Sequence, residues 1–389
     1  MVESGLDVLR KEGAKRLRGQ RIGLLVHPAS VDSKLRHATD LLSRSNNVRL
    51  KALFGPQHGL QGQTQDNMIE WRGFKDYKTG LPVYSLYGKV RRPTAEMLSG
   101  IDTLVIDLQD VGARYYTFTW TMLLCLQACA ATSKRVVILD RPNPIGGQRR
   151  QGPSIAAGYE SFVGMAAIPM RHGLTMGELA VYFDQRFDIG ADLEVVWMKG
   201  WKRKLWSDET GLPWVMPSPN MPTLETATLY PGFCLLEGTN LSEGRGTTRP
   251  FEICGAPFIE PEEFAEELTG EHLVGVTFRP MFFKPTFQKW AHRLCGGVQL
   301  HVTDRDAFDS IACAVAVMLT ARKLYSARFA WKRPPYEYET KILPIDILAG
   351  SPALRIAIDK GAELKSILAG WKPGLRAFER DIASHLHYG

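Results

Sequence analysis

Along the first 150 residues, short aliphatic runs alternate with longer segments whose apolar positions recur at helical spacing. The runs are RIGLLVHP (21–28), RLKALFGP (49–56), LPVYSLYG (81–88), DTLVIDLQD (102–110) and RVVILDRP (135–142). They are rich in Val, Ile and Leu without strict polar alternation, which is the pattern of strands covered on both faces. Segments 4–17, 34–44 and 117–131 read as helices lying between several of them. Strand–helix repetition of this kind predicts a parallel sheet with helices on both sides, an α/β architecture. A Gly/Pro-marked stretch at 146–153 is the expected boundary, giving a first domain of residues 1–150 and a second of residues 151–389.

Beyond the boundary the periodicity changes. TMGELAVYFDQRF (175–187) predicts a helix with Thr175 as N-cap and Glu178 three residues later, the capping-box spacing. LEVVWM and GGVQLHVTD predict strands, 306–326 a long helix, and 352–385 a helical segment broken near Pro373. Residues 213–257 crowd Gly, Pro, Asn and Thr with few long apolar runs. A loop-rich stretch of that length inside a folded protein usually has a function.

Composition narrows the classes. The chain has 389 residues, 44% hydrophobic and 23% charged, so it is long enough to bury an ample core without staples. A net charge of +7 suits an acidic ligand, but the densest basic run, KVRRP (89–93), reads as a solvated loop rather than a nucleic-acid patch. The six cysteines form no CxxC and read as small core residues, not metal ligands. The first 20 residues hold no apolar stretch of signal-peptide length, and YYTFTWTMLLCLQACAATS (115–133) reads as a buried helix rather than a membrane span. The expectation is a cytoplasmic protein that binds neither membrane nor nucleic acid. No GxGxxG follows the first strand, and no GxxxxGK[ST], HExxH or GxSxG occurs. No cofactor and no metal are expected.

In an open parallel sheet, ligands bind beyond the carboxyl ends of the strands. Those ends carry His27, then Gln57-His58 between glycines, then Asp107, Gln109 and Asp110, then Tyr115-Tyr116, then Asp140-Arg141. Each candidate has a structural alternative. His58 either contacts a ligand or fixes its loop through a ring nitrogen. Asp110 either works in the site or caps the next element. Asp107, inside an apolar run, is either paired or functional, because a carboxylate buried alone is costly. Asp140 and Arg141 are expected to form an internal ion pair. Tyr115 and Tyr116 either stack on a sugar face or pack.

A second polar cluster lies in WVMPSPNMPT (214–223) and YPGFCLLEGTNLSEGRGTTRPFEICGAP (230–257). It carries Asn220, Glu237, Asn240, Glu243, Arg245 and Arg249 among tight-turn glycines. Two carboxylates, two guanidiniums and an Asn within residues 237–249 exceed what a solvated loop requires; mutual pairing as loop scaffolding is the alternative.

LFGPQHG, LPVYSLYG, DLQDVGARYYT, ILDRPNPIGG, SFVGMAAIPMRHGLTMGELA, PSPNMPT and YPGFCLLEGTNLSEGRGTTRPFEICGAP together resemble the NamZ/YbbC-like exo-β-N-acetylmuramidase family, from about Gly23 to the C-terminal helix. The resemblance implies a Rossmann-like domain, a second and smaller α+β domain, and an active site in the cleft between them. It implies release of terminal N-acetylmuramic acid from peptidoglycan fragments such as muropeptides or disaccharides, in cell wall recycling. The lactyl carboxylate of that sugar gives Arg245 or Arg249 a partner.

One departure matters. The family motif usually reads Pro-Glu-His-Gly, with that glutamate the favoured acid/base, and here the position is Gln57. An amide does not exchange protons usefully near neutrality, and glycoside cleavage commonly needs a carboxylic acid worth about 10²–10⁴-fold. Three readings follow: another carboxylate is the acid while Gln57 binds substrate, the specificity has changed, or the chain binds sugar without hydrolysing it. Asp110 and Glu243 are the preferred acids, with Asp66 a further local candidate, and His58 is the third catalytic candidate. Gln57, Asp107, Tyr115, Tyr116, Asn220, Glu237, Asn240 and Arg245 are the expected substrate-binding residues.

Overall fold

The aliphatic runs end where polar rim residues begin, and the strands follow that division. The computed structural model describes residues 1–66 and 68–389; Asn67, inside the amide-rich loop 61–71, lies outside the described residues. Seven strands, β1 (Arg21–Leu25), β2 (Arg49–Gly55), β3 (Phe74–Lys75), β4 (Pro82–Ser85), β5 (Thr103–Ile106), β6 (Arg135–Leu139) and β7 (Leu193–Val196), form one sheet ordered β3-β4-β2-β1-β5-β6-β7. All pairs are parallel except β3 on β4 at the edge. β1, β5 and β6 are buried along nearly their whole length, which is why they carry no polar alternation. From β1 the chain moves outward to β2 and β4, and from β5 it moves the other way to β6 and β7. The reversal lies between β1 and β5, where open α/β sheets form a crevice at their carboxyl ends.

Helices α1 (Gly5–Lys11), α2 (Ala38–Ser43), α3 (Ala95–Ser99), α4 (Phe118–Ala131) and α5 (Met176–Arg186) accompany this sheet. The expected helix at 4–17 is shorter, because Gly13 and Ala14 adopt left-handed backbone and only a 3₁₀ turn follows. In α4 almost every side chain is buried, including Cys125 and Cys129, whose thiols burial pushes up. The seventh strand comes after residue 150, so the Gly/Pro stretch at 146–153 lies between two strands of the same sheet.

The second unit is an antiparallel sheet ordered β8-β10-β9, from β8 (Ile253–Ala256), β9 (Val276–Phe283) and β10 (Cys295–Val302). Around it lie α6 (Leu224–Phe233), α7 (Pro261–Gly270), α8 (Ser310–Leu324), α9 (Pro344–Ala349), α10 (Ala353–Asp359) and α11 (Leu364–Ile382). α6 crosses α8 so closely that a Cβ on Gly232 would sit 1.8 Å from the Ser310 carbonyl oxygen. The molecule is therefore mixed α/β, with a mostly parallel sheet followed by a second, smaller one. Pro373 does not break the last helix: α11 runs continuously through it, since Ile367, Phe378 and Ile382 anchor its apolar face on either side while Pro373 itself is exposed. Among the described residues, no helix is long and apolar enough to cross a membrane.

The expected cap of α5 forms. Thr175 accepts from the Glu178 N–H and the Glu178 carboxylate accepts from the Thr175 N–H. The same fully buried carboxylate meets Arg203 at 2.6 Å and accepts from the His387 N–H at 2.9 Å, so one side chain ties α5, the loop after β7 and the C-terminal tail. Breaking a buried pair by removing one partner typically costs about 3–5 kcal/mol. Glu178→Ala should therefore lower the thermal midpoint measurably and expose residues 386–389 to proteolysis; an unchanged midpoint in calorimetry would contradict this assignment.

Candidate active site

The first wall of the cleft is the loop that leaves β2. Gly55 is required there because a Cβ would lie 2.7 Å from the Trp71 ring, and Trp71 in turn donates from Nε1 to the Pro56 carbonyl at 3.0 Å. This packing ends the strand and turns Gln57-His58 into the cleft. His58 sits in left-handed backbone at φ +68° and bonds the Thr64 carbonyl through Nδ1 at 2.8 Å. It thus fixes its loop and lines the cleft as well. Burial pushes its imidazole down to about 4, so the ring is neutral near pH 7. The Thr117 hydroxyl donates to Gln57 Oε1 at 2.6 Å, and Gln57 Nε2 faces Glu337 Oε1 at 3.5 Å. Tyr115 and Tyr116 line the same space.

The second wall comes from the turn Cys234–Gly238 that follows α6, and from residues 336–337. Glu237 lies on that turn, 2.6 Å from Arg245, and accepts from the Tyr336 hydroxyl at 2.8 Å. Asn220 enters from the loop before α6, held by two bonds to Gln65 at 2.8 and 3.2 Å. Glu337 is buried and accepts from the Tyr87 hydroxyl at 2.9 Å. Burial pushes its carboxyl up to about 7; the Tyr87 hydrogen bond opposes this, and the Glu237 charge adds to it. Glu337, like His58 and Phe251, lines the cleft from a left-handed backbone position, a strain that proteins keep mainly at working sites. The two walls surround about 460 Å³ of non-protein space, open solvent included.

The remaining candidates lie off this cleft. Asp107 is fully buried and pairs with Arg141 at 2.8 Å. The expected Asp140–Arg141 ion pair is therefore not formed, because the guanidinium reaches back to the neighbouring strand end. Asp140 instead accepts from the Gly177 N–H and the Tyr388 hydroxyl. Asp110 accepts from the Gly112 N–H at 2.7 Å and faces His172 Nε2 at 3.1 Å, so it shapes its own turn rather than capping a helix. Glu243 lies 2.7 Å from Lys289 and 3.6 Å from Arg245. Burial alone would raise its carboxyl, but these two cations hold it below its usual value. Asn240 bonds the Arg328 carbonyl and the Ala330 N–H, Arg249 pairs with Glu252 near the surface, and Asp66 meets Gln288. These contacts are loop scaffolding around the cleft.

The structure thus brings Gln57, His58, Tyr115, Tyr116, Asn220, Glu237 and Arg245 together and leaves Asp107, Asp110, Asn240 and Glu243 outside. Sequence reading missed Glu337 with its partner Tyr87, and Tyr336, which bonds Glu237. The one available signal was a Glu between two tyrosines after Pro-Pro, in PPYEYE, far from both polar clusters. Chemically, the cleft pairs a carboxyl that keeps a proton near neutrality with a second carboxylate held by a guanidinium. That is an arrangement for acid-assisted bond cleavage. Among the described residues, no group of three or more His, Cys, Asp or Glu is placed to hold a metal ion.

Comparison with known proteins places the chain in a family. Residues 22–225 match the family model described as exo-beta-N-acetylmuramidase NamZ, N-terminal, and residues 228–388 match its C-terminal counterpart. A curated relative, peptidoglycan beta-N-acetylmuramidase NamZ of Bacillus subtilis (strain 168), is 45% identical over 387 residues, covering 100% of this chain and 91% of its own. Two crystal structures of DUF1343-family proteins from Bacteroides fragilis NCTC 9343 superpose with TM-scores of 0.91 and 0.78 at 37% and 27% identity. Each match covers 100% of this chain and 99% of the other. With both halves matched across almost the whole length, the chain belongs to the exo-β-N-acetylmuramidase NamZ family.

Proposed function

We propose that this chain is a glycosidase that releases terminal N-acetylmuramic acid from peptidoglycan-derived saccharides, with Glu337 rather than residue 57 as the proton donor. The observation that carries this reading is the buried Glu337 carboxyl at about 7, within 3.5 Å of the amide that replaces the usual glutamate. In the proposed reaction the bond between the anomeric carbon and the bridging oxygen breaks, and Glu337 gives its proton to that oxygen. Water supplies the new hydroxyl, and its remaining proton restores Glu337. Glu237, held in place by Arg245 and Tyr336, offers negative charge to the developing oxocarbenium. Gln57 keeps an amide N–H donor for the substrate, since its Oε1 already accepts from Thr117. Arg245 is the cationic group on the cleft wall for the lactyl carboxylate. Asp110 and Glu243, the acids expected from sequence, act in this reading by holding the loops, because they are already engaged with His172 and with Lys289 and Arg245. A role in cell wall recycling and a cytoplasmic setting are part of the same proposal, and the six buried, unpaired cysteines suit a reducing compartment.

The purified chain should release the chromophore from an aryl β-N-acetylmuramide. Glu337→Gln should lower kcat by about 10²–10⁴-fold at pH 6 with KM little changed; a loss under threefold would remove Glu337 from the role. Glu337 acts in its protonated form, which dominates below its raised pKa and is lost above it. Its kcat/KM should therefore fall with a limb near pH 7, not near 4.5, and this limb should be absent from Glu337→Gln. Gln57→Glu sets a second carboxyl beside Glu337, and two carboxyls in contact do not both ionise readily, so the limb should move to higher pH. The competing reading, a sugar-binding protein without turnover, rests on Gln57 itself. A wild type that releases nothing while Gln57→Glu does would establish that alternative.

A further inference from the structure

Glu337 lines two hollows. One is the enclosed cleft already described. The other is an open groove of about 810 Å³, open solvent included, formed by Arg91 and Arg92 after β4, by Ser161 and Phe162, and by Tyr338. Among the described residues, Glu337 is the one that lines both. The Arg91 guanidinium lies over the Tyr338 ring and 5.5 Å from the centre of the Phe162 ring. Tyr87, which bonds Glu337, contacts both of those rings at 5.8 and 5.9 Å. Tyr338 is also held in left-handed backbone, at φ +71°, with 42% of its surface exposed.

A general acid in glycoside cleavage must stand at the bridging oxygen, with the departing sugar beyond it. We propose that the Arg91–Phe162–Tyr338 groove is the subsite for the leaving saccharide, the sugar on the far side of the bond that Glu337 protonates. This rests on the function proposed above and adds the second half of the substrate to it. Aromatic rings take the C–H face of a pyranose, and guanidinium N–H groups reach its hydroxyl and acetamido oxygens. The contrast between the hollows gives the cleavage pattern its physical cause. In this proposal the less open cleft holds the terminal sugar and the more open groove leaves room for the departing chain.

The test is binding, so that it does not depend on turnover. In the Glu337→Gln protein, titration calorimetry compares the disaccharide N-acetylmuramyl-β-1,4-N-acetylglucosamine with methyl β-N-acetylmuramide. The disaccharide should bind at least tenfold more tightly, and Arg91→Ala should bring the ratio close to one. Arg92→Ala, at an exposed position, should reduce it in the same direction and serves if the first variant does not fold. Equal affinities in the parent, or a ratio untouched by both substitutions, would overturn the groove. A wild-type chain that turns over neither substrate but shows the tenfold preference would sink the hydrolase reading and leave the subsite standing.

Discussion

A carboxyl buried in a protein seam keeps its proton because burial penalises the charged form, as long as the hydrogen-bond donors that reach its oxygens do not offset that penalty. Glu337 is such a group: burial outweighs its donors and pushes its carboxyl up to about 7. Tyr87 and Gln57, carried by the parallel sheet, hold its oxygens from one side of the cleft, and Glu237 supplies charge from the other. Because those partners come from both halves of the chain, the same contact that sets the proton affinity also fixes how the loops meet over the cleft. The left-handed backbone of His58 and Glu337 is what it takes to aim both side chains inward from short turns.

The other carboxylates near the site show the contrast. Asp107 has Arg141, Asp110 has His172, Glu243 has Lys289 and Arg245, and Glu178 has Arg203. A buried carboxylate whose oxygens are already committed to such a partner is good scaffolding, and in Glu243 the two cations hold the carboxyl below its usual value. Residue type and position along the chain do not distinguish the two situations. Only the identity of the neighbour does.

That is also where sequence reading stopped. The five aliphatic runs, the Thr175–Glu178 capping box, and the gathering of Gln57, Asn220, Glu237 and Arg245 were legible, because they depend on local periodicity and on the rule that rims carry ligands. The pairing of Arg141 with Asp107 instead of Asp140 was not, since it depends on two adjacent strand ends, β5 and β6, facing each other. Pro373 looked like a break because a proline costs one helical bond, but tertiary packing of Ile367 and Phe378 outweighs that loss. Glu337 was hidden most thoroughly. It sits in a polar loop with no periodicity, and what makes it unusual is burial under Tyr87, 250 residues away.

The charge state of Glu337 can be observed directly. Infrared difference spectra of wild type minus Glu337→Gln, taken across pH 5 to 9, isolate the carbonyl stretch of the protonated Glu337 carboxyl. A band that disappears with a midpoint near pH 7 is the predicted result; a carboxyl already ionised at pH 5 would contradict it.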